Sequence, residues 1–141
     1  TSTDAIMRTR TFTVPGEARG MVRPKKGGTH WYVPDVGGYK ERVGQYALAA
    51  GMRRVEGPVV LVMHIDVMMP VSWSKKKKNR MRGQMVDHTP DGVNISAAIH
   101  DGLEGIAYAN DKQVSDSTIT RRWQDEGNTR ITISWGFDEE L

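Results

Sequence analysis

Over 59–69 every second residue is apolar: Val59, Leu61, Met63, Ile65, Val67 and Met69. Successive side chains of a strand point to opposite faces, so this spacing gathers all of them on one side. On a helix the same residues would scatter around the axis. The pattern predicts a strand over 58–69 with one face that has to be covered. His64 and Asp66 share the opposite face with Val60 and Val62.

Two segments can provide the cover. Over 39–50, Tyr39, Val43, Tyr46, Ala47 and Ala50 recur at helical spacing, and Gly51 suits the C-terminal cap. Further on, Thr89 is a fitting N-cap, Pro90 a fitting first helical residue, and Asp91 complements the helix dipole. Ile95, Ala98, Ile99, Gly102 and Leu103 then form a buried stripe, and Gly105 ends the helix. Thr9 to Val14 alternates as a strand, with Phe12 and Val14 on one face, until Pro15-Gly16 stops it. Residues 16–29 form a basic loop rich in glycine and proline, and 30–33 a short strand. Residues 113–123 and 129–137 predict a final hairpin around Asp125-Glu126-Gly127-Asn128. The order is strand, short strand, helix, strand, helix, strand, strand. Two helices cannot cover both faces of a sheet. The expected fold class is therefore α+β, a small mixed β-sheet with two helices packed on one face. A homodimer is the simplest cover for the other face.

The 141 residues suit one domain, placed at 9–137 between a flexible N-terminus over 1–8 and an acidic tail over 138–141. The chain has no cysteine, which excludes disulfides and thiolate metal sites. No apolar run approaches the roughly 20 residues that span a bilayer, and no signal-peptide pattern opens the chain. The expectation is a soluble, cytoplasmic protein without a membrane partner. Net charge is +3, but residues 75–82 alone hold six cations and no acid. Such a patch favours a polyanion, without separating DNA from RNA or a membrane surface.

Lys75, Lys76, Lys77, Lys78, Arg80 and Arg82 lead directly to Thr89-Pro90-Asp91-Gly92-Val93-Asn94, and after the helix comes Asn110-Asp111-Lys112-Gln113-Val114. Cations able to hold a phosphate backbone thus precede carboxylates able to hold Mg²⁺, the pairing that an enzyme cutting nucleic acid requires. Arg19, Arg23, Lys25 and Lys26 extend the cationic set. Each signal has a bland alternative: a solvated loop for the basic run, a helix-dipole acid for Asp91, a turn aspartate for Asp111. Asp101 is taken as structural, facing a cation. His64 and Asp66 are a hydrogen-bonded strand pair rather than metal ligands, since no third ligand accompanies them.

At these residues the chain resembles the RusA-like Holliday-junction resolvases. Phe12-Thr13-Val14-Pro15-Gly16 with Arg23-Pro24, Pro70-Val71-Ser72-Trp73 with its lysines, and Pro90-Asp91-x-x-Asn94 through Asp101-x-Leu103-x-Gly105 to Asp111-x-Gln113-Val114 carry the resemblance. It implies a homodimer that binds four-way DNA junctions and hydrolyses phosphodiesters with Mg²⁺ during recombination and repair in a bacterial or phage-infected cell. Asp91 and Asp111 match the family's first and last carboxylates. Its other three chemical positions fall on Val93 (a carboxylate), Ala97 (a helix lysine) and Asn110 (an acid). Valine offers no lone pair and alanine no charge, while asparagine can ligate only through a neutral amide oxygen. The catalytic set carried over is Asp91 and Asp111, with Asn110 as a third metal ligand. The DNA-binding set is the run 75–82 with Arg23 and Lys25. The alternatives are a catalytically silent junction-binding protein and a general nucleic-acid-binding domain.

Overall fold

The computed structural model describes residues 7–20, 25–27, 30–32, 38–87 and 92–137, with the backbone alone at 25–27 and 30–32. Ten elements follow in order. They are β1 (Arg8–Pro15), β2 (Lys25–Gly27), β3 (His30–Tyr32), α1 (Tyr39–Ala49), β4 (Val59–Met68), α2 (Lys75–Met81), α3 (Gly92–Leu103), a 3-10 turn (Asp111–Gln113), β5 (Val114–Gln124) and β6 (Asn128–Trp135). Four strands form a mixed sheet in the order β1-β6-β4-β5, and β2 and β3 pair separately. The fold is α+β, as the alternation and helix signals implied.

Strand β4 pairs in parallel with β5 and antiparallel with β6, so both of its edges are hydrogen-bonded. Its residues Val59, Leu61, Met63 and Ile65 are fully or almost fully buried, as are Ile131 and Ile133 of β6 beside them. Helices α1 and α3 cover this face through Val43, Ala47, Ile95, Ile99 and Leu103. The Tyr39 hydroxyl reaches the sheet itself, sharing a buried hydrogen bond of 2.7 Å with Thr129. Burial pushes the Tyr39 hydroxyl up to about 12. The opposite face carries Thr9 and Thr11, bonded across the strands to Ser134 at 3.2 Å and Thr132 at 3.0 Å. Its residues are half-buried or exposed, and their hydroxyls suit an antiparallel face turned to water.

The structure differs from the sequence expectations at three places. The segments 113–123 and 129–137 do not form a hairpin, because β4 lies between β5 and β6. Alternation reads the same whichever neighbour a strand has, so it could not reveal this. The connection at 125–127 need only cross one intervening strand, about 10 Å between strand axes. The run 75–82 is not a loop, since 75–81 is helical, which adds a third helix. Part of the basic N-terminal loop pairs as β2 with β3.

The two long helices approach closely because glycine stands at their crossing. A Cβ on Gly102 would meet the Lys40 carbonyl oxygen at 2.5 Å, and one on Gly44 would meet Ile106 Cδ1 at 2.6 Å. Gly102→Ala is expected to destabilise the fold by about 1–3 kcal/mol despite alanine's better helix propensity. Urea unfolding checks it: an unchanged midpoint would show that the helices have room to separate.

Candidate nucleic-acid interface and acidic motifs

At the C-terminal end of β4 the chain turns sharply, with the Trp73 N–H donating to the Pro70 carbonyl at 3.1 Å, and enters α2. Ser74 caps the helix by accepting the Lys77 N–H. Lys75, Lys76 and Arg80 project into solvent, whereas Lys77 and Lys78 are half-buried. Lys77 Nζ lies 4.3 Å from the centre of the Trp73 ring. Arg82 is ion-paired to Asp125 at 2.9 Å. The six cations therefore do not form one uniform patch. Arg23 lies outside the described residues, and for Lys25 the backbone position in β2 is what the structure gives. Arg19 stands 3.9 Å from Glu17 in an exposed pair. Next to it, Gly20 approaches α3 so closely that a Cβ there would stand 3.0 Å from Asn94 Cβ. The N-terminal basic loop thus reaches Asn94, the last residue of the first acidic motif.

Asp91 lies outside the described residues, with His88, Thr89 and Pro90. The N-cap reading of Thr89 falls on the same segment. Its neighbour Gly92 opens α3 and sits over β5, where a Cβ would be 3.4 Å from Ile119 and 3.6 Å from Arg121 Nε. Along α3, Val93 is 79% exposed and Ala97 is exposed too, so neither belongs to the core. Asp101 continues that stripe and pairs with Lys40 of α1 at 3.0 Å, the cation it was expected to face.

The second motif is built by Gln113. Its Oε1 accepts the N–H groups of Ala109 at 2.9 Å and Asn110 at 3.1 Å. Its Nε2 donates to the carbonyls of Val55 and Gly57, both at 3.0 Å. Asn110 Oδ1 accepts the Lys112 N–H at 2.8 Å, completing a capping box. Asp111 is left exposed, with its N–H held by Glu104 Oε2 at 3.0 Å just beyond the end of α3. Gly92 and the second motif therefore lie at opposite ends of α3. Twelve helical residues at roughly 1.5 Å each separate those ends by about 18 Å.

The donor set can be tested against a divalent cation, which takes several oxygen ligands at about 2.1 Å. Among the described residues no group of three or more His, Asp or Glu side chains could hold one. Val93 has no donor, and the Asn110 amide oxygen already accepts the bond that shapes its turn. The described residues alone do not fit the ion. His64 and Asp66 likewise belong to no such group.

Sequence reasoning missed a polar cluster beside Asp111. His100 Nε2 lies 3.0 Å from Ser117 Oγ and 3.4 Å from Ser96 Oγ, joining α3 to β5. Burial pushes the imidazole down from its ordinary value, and the Asp111 carboxylate opposes the shift. It also missed Arg121, whose Nη2 donates to the Val86 carbonyl at 3.3 Å beneath the start of α3. Residues 83–86 add an extra pairing along the end of β5, with the Gly83 N–H on the Trp123 carbonyl and the Val86 N–H on that of Arg121. No local pattern marks that pairing.

Residues 12–134 match the family described as endodeoxyribonuclease RusA. The chain is also similar to uncharacterized protein YqaN of Bacillus subtilis (strain 168), with 32% identity over 135 residues, 86% of this chain and 93% of that protein. The chain belongs to the RusA endodeoxyribonuclease family, whose members are nucleases of the Holliday-junction-resolvase type. Among the described residues no helix is long and apolar enough to cross a membrane.

The His100 environment predicts an acid response. Its folded value lies below the ordinary 6.5, so folding favours the neutral ring. The stability it contributes is complete above that ordinary value and is lost as pH falls through the folded one. Thermal midpoints measured from about pH 7 to about pH 5 should fall less steeply for His100→Gln than for the unaltered chain. Equal slopes would show that His100 titrates in the fold as it does unfolded.

Proposed function

We propose that this protein binds four-way DNA junctions as a homodimer, presenting the exposed cations of α2 to the phosphate backbone. The observation that carries this reading is the outward row of Lys75, Lys76 and Arg80 on a capped helix in a RusA-family chain. A junction has two symmetrically related strands, and a two-fold dimer offers one site to each. The setting is recombination and repair in the cytoplasm of a bacterial or phage-infected cell.

The family chemistry is endonucleolytic phosphodiester hydrolysis, and Asp91 and Asp111 are this chain's matches to the family's metal-binding carboxylates; the placing of Gly92 and Asp111 at opposite ends of α3 counts against one ion held by both within a subunit. When bound, such an ion would supply polarisation of the phosphoryl group and activation of water. The chain's own residues contribute less than this chemistry needs, because Val93, Ala97 and Asn110 bring no charge to their positions. Removing one positioned electrostatic group typically lowers turnover about 10²–10³-fold. A second reading, junction binding without cleavage, is favoured by the exposed Val93 and by the Asn110 oxygen already engaged in its cap.

Two measurements test these readings. Lys75→Glu with Lys76→Glu should weaken junction binding and flatten its dependence on salt, because fewer counterions are released. Unaltered affinity and slope would remove α2 from the interface. For the chemistry, Mg²⁺-dependent nicking of a synthetic four-way junction is compared with that of Val93→Asp/Ala97→Lys/Asn110→Asp. Nicking by the triple variant alone supports binding without cleavage, and comparable nicking by both supports the enzyme reading. Nicking by neither counts against the family chemistry on this scaffold.

A further inference from the structure

Helix α2 should not be stable by itself. It spans seven residues, opens on four adjacent lysines and fully buries none of its side chains, with half-buried Met81 its one apolar contact against the cluster of Met69, Val86 and Trp123. Helices of that length are marginal in water, and neighbouring like charges weaken them further. The fold supplies a fastening at each end instead.

At the N-terminal end Ser74 Oγ accepts the Lys77 N–H at 3.1 Å. The Lys77 ammonium lies over Trp73, whose ring stands edge-on to that of buried Trp123 with centroids 4.9 Å apart. At the C-terminal end Arg82 grips Asp125 with both arms of its fork. Nε donates to Oδ2 at 3.0 Å and Nη2 to Oδ1 at 2.9 Å. The remaining Nη1 turns back to Asn79 Oδ1 at 3.1 Å. A planar guanidinium matches a carboxylate in this bidentate geometry. The same contact holds the Asp125 carboxyl below its usual range. Lys77 and Arg82 are thus occupied by the fold, and Lys75, Lys76 and Arg80 are presented.

We infer that Asp125, the acid paired with the last cation of the basic run, is a positioning residue for nucleic-acid binding. Through Arg82 it fixes the C-terminal end of α2, so that Lys75, Lys76 and Arg80 meet phosphates in one register. This rests on the DNA-binding reading of α2 given above. Simple charge addition predicts the reverse: deleting a carboxylate beside a polyanion should tighten binding, and a released Arg82 should add a phosphate contact. The two accounts differ in sign.

The test measures affinity of the full chain for a labelled four-way junction across a salt series. Asp125→Asn should bind about two- to fivefold more weakly, the scale of one exposed ion pair. Its plot of log affinity against log salt should be shallower, since each lost phosphate contact removes about 0.9 from the slope. Asp125→Glu should restore both readouts, and adding Arg82→Gln to Asp125→Asn should cause no further loss. Tighter or unchanged binding, a steeper slope, or no rescue by glutamate overturns the positioning role. Lys75→Gln/Lys76→Gln/Arg80→Gln serves as the control. If it loses affinity while Asp125→Asn does not, the positioning role alone falls. If it binds as the unaltered chain does, α2 is not a DNA surface and both readings fall.

Discussion

Strand β4 must be buried along one face and hydrogen-bonded along both edges, and the rest of the chain is arranged around that demand. A strand with no free edge forces its two partners apart. That is why β5 and β6, though joined by a short connection, never pair. It also fixes what gathers at the C-terminal end of β4. There the chain leaves the sheet to build α2, and there the 125–127 connection crosses between the flanking strands. The Met69 N–H still donates to the Gln124 carbonyl at 3.0 Å, so the two exits are locked together. Arg82 and Asp125 meet because of this topology, and a true hairpin remote from β4 would have carried Asp125 elsewhere.

In the acidic region the residues that build the framework and those that would do chemistry obey different constraints. Gln113 satisfies four backbone groups, and Gly102 lets two helices touch. Altering Gln113 removes four side-chain hydrogen bonds to the backbone, and a side chain at Gly102 brings a steric clash. Val93 and Ala97 stand on an exposed stripe of α3 where the fold asks nothing of the side chain. Replacement there is nearly neutral for stability, whatever it does to the proposed chemistry. The fold can therefore survive intact while such exposed positions change, which is why family membership and turnover are separate questions for this chain.

The elements were legible in proportion to how local their causes are. Alternation over 59–69 and the stripe from Ile95 to Leu103 follow from burial of one face, and those elements stand where the pattern put them. Gly105, with φ +86, marks the helix end as expected. Helix α2 was hidden because none of it is fully buried, so it carries no apolar stripe, and its stabilising partners, Trp123 and Asp125, lie far along the chain. The position of β4 between β5 and β6 was hidden because pairing order leaves no trace in periodicity. The resemblance singled out Asp111 as a ligand, with a turn aspartate as the bland alternative, and the structure shows a 3-10 turn there. The contact of His100 with Ser117 was not legible, since it depends on how α3 lies across β5.

A net charge of +3 spread over 141 residues cannot by itself draw a nucleic acid to one part of the surface. Local density and order must do it. Free lysines lose considerable rotamer freedom when they settle on a phosphate, and a segment that must also fold loses backbone freedom as well. A helix already capped by Ser74, braced on Trp73 and pinned through Arg82 has met the backbone part of that cost during folding. Two cations of the run are diverted to the purpose, one of them held by an acid, Asp125. The exchange favours binding when the partner's charges are themselves regularly spaced, as phosphates along a duplex arm are. A mobile polyanion would gain little from such a fixed row. Rigidity at α2 is thus an argument about the ligand as much as about the fold.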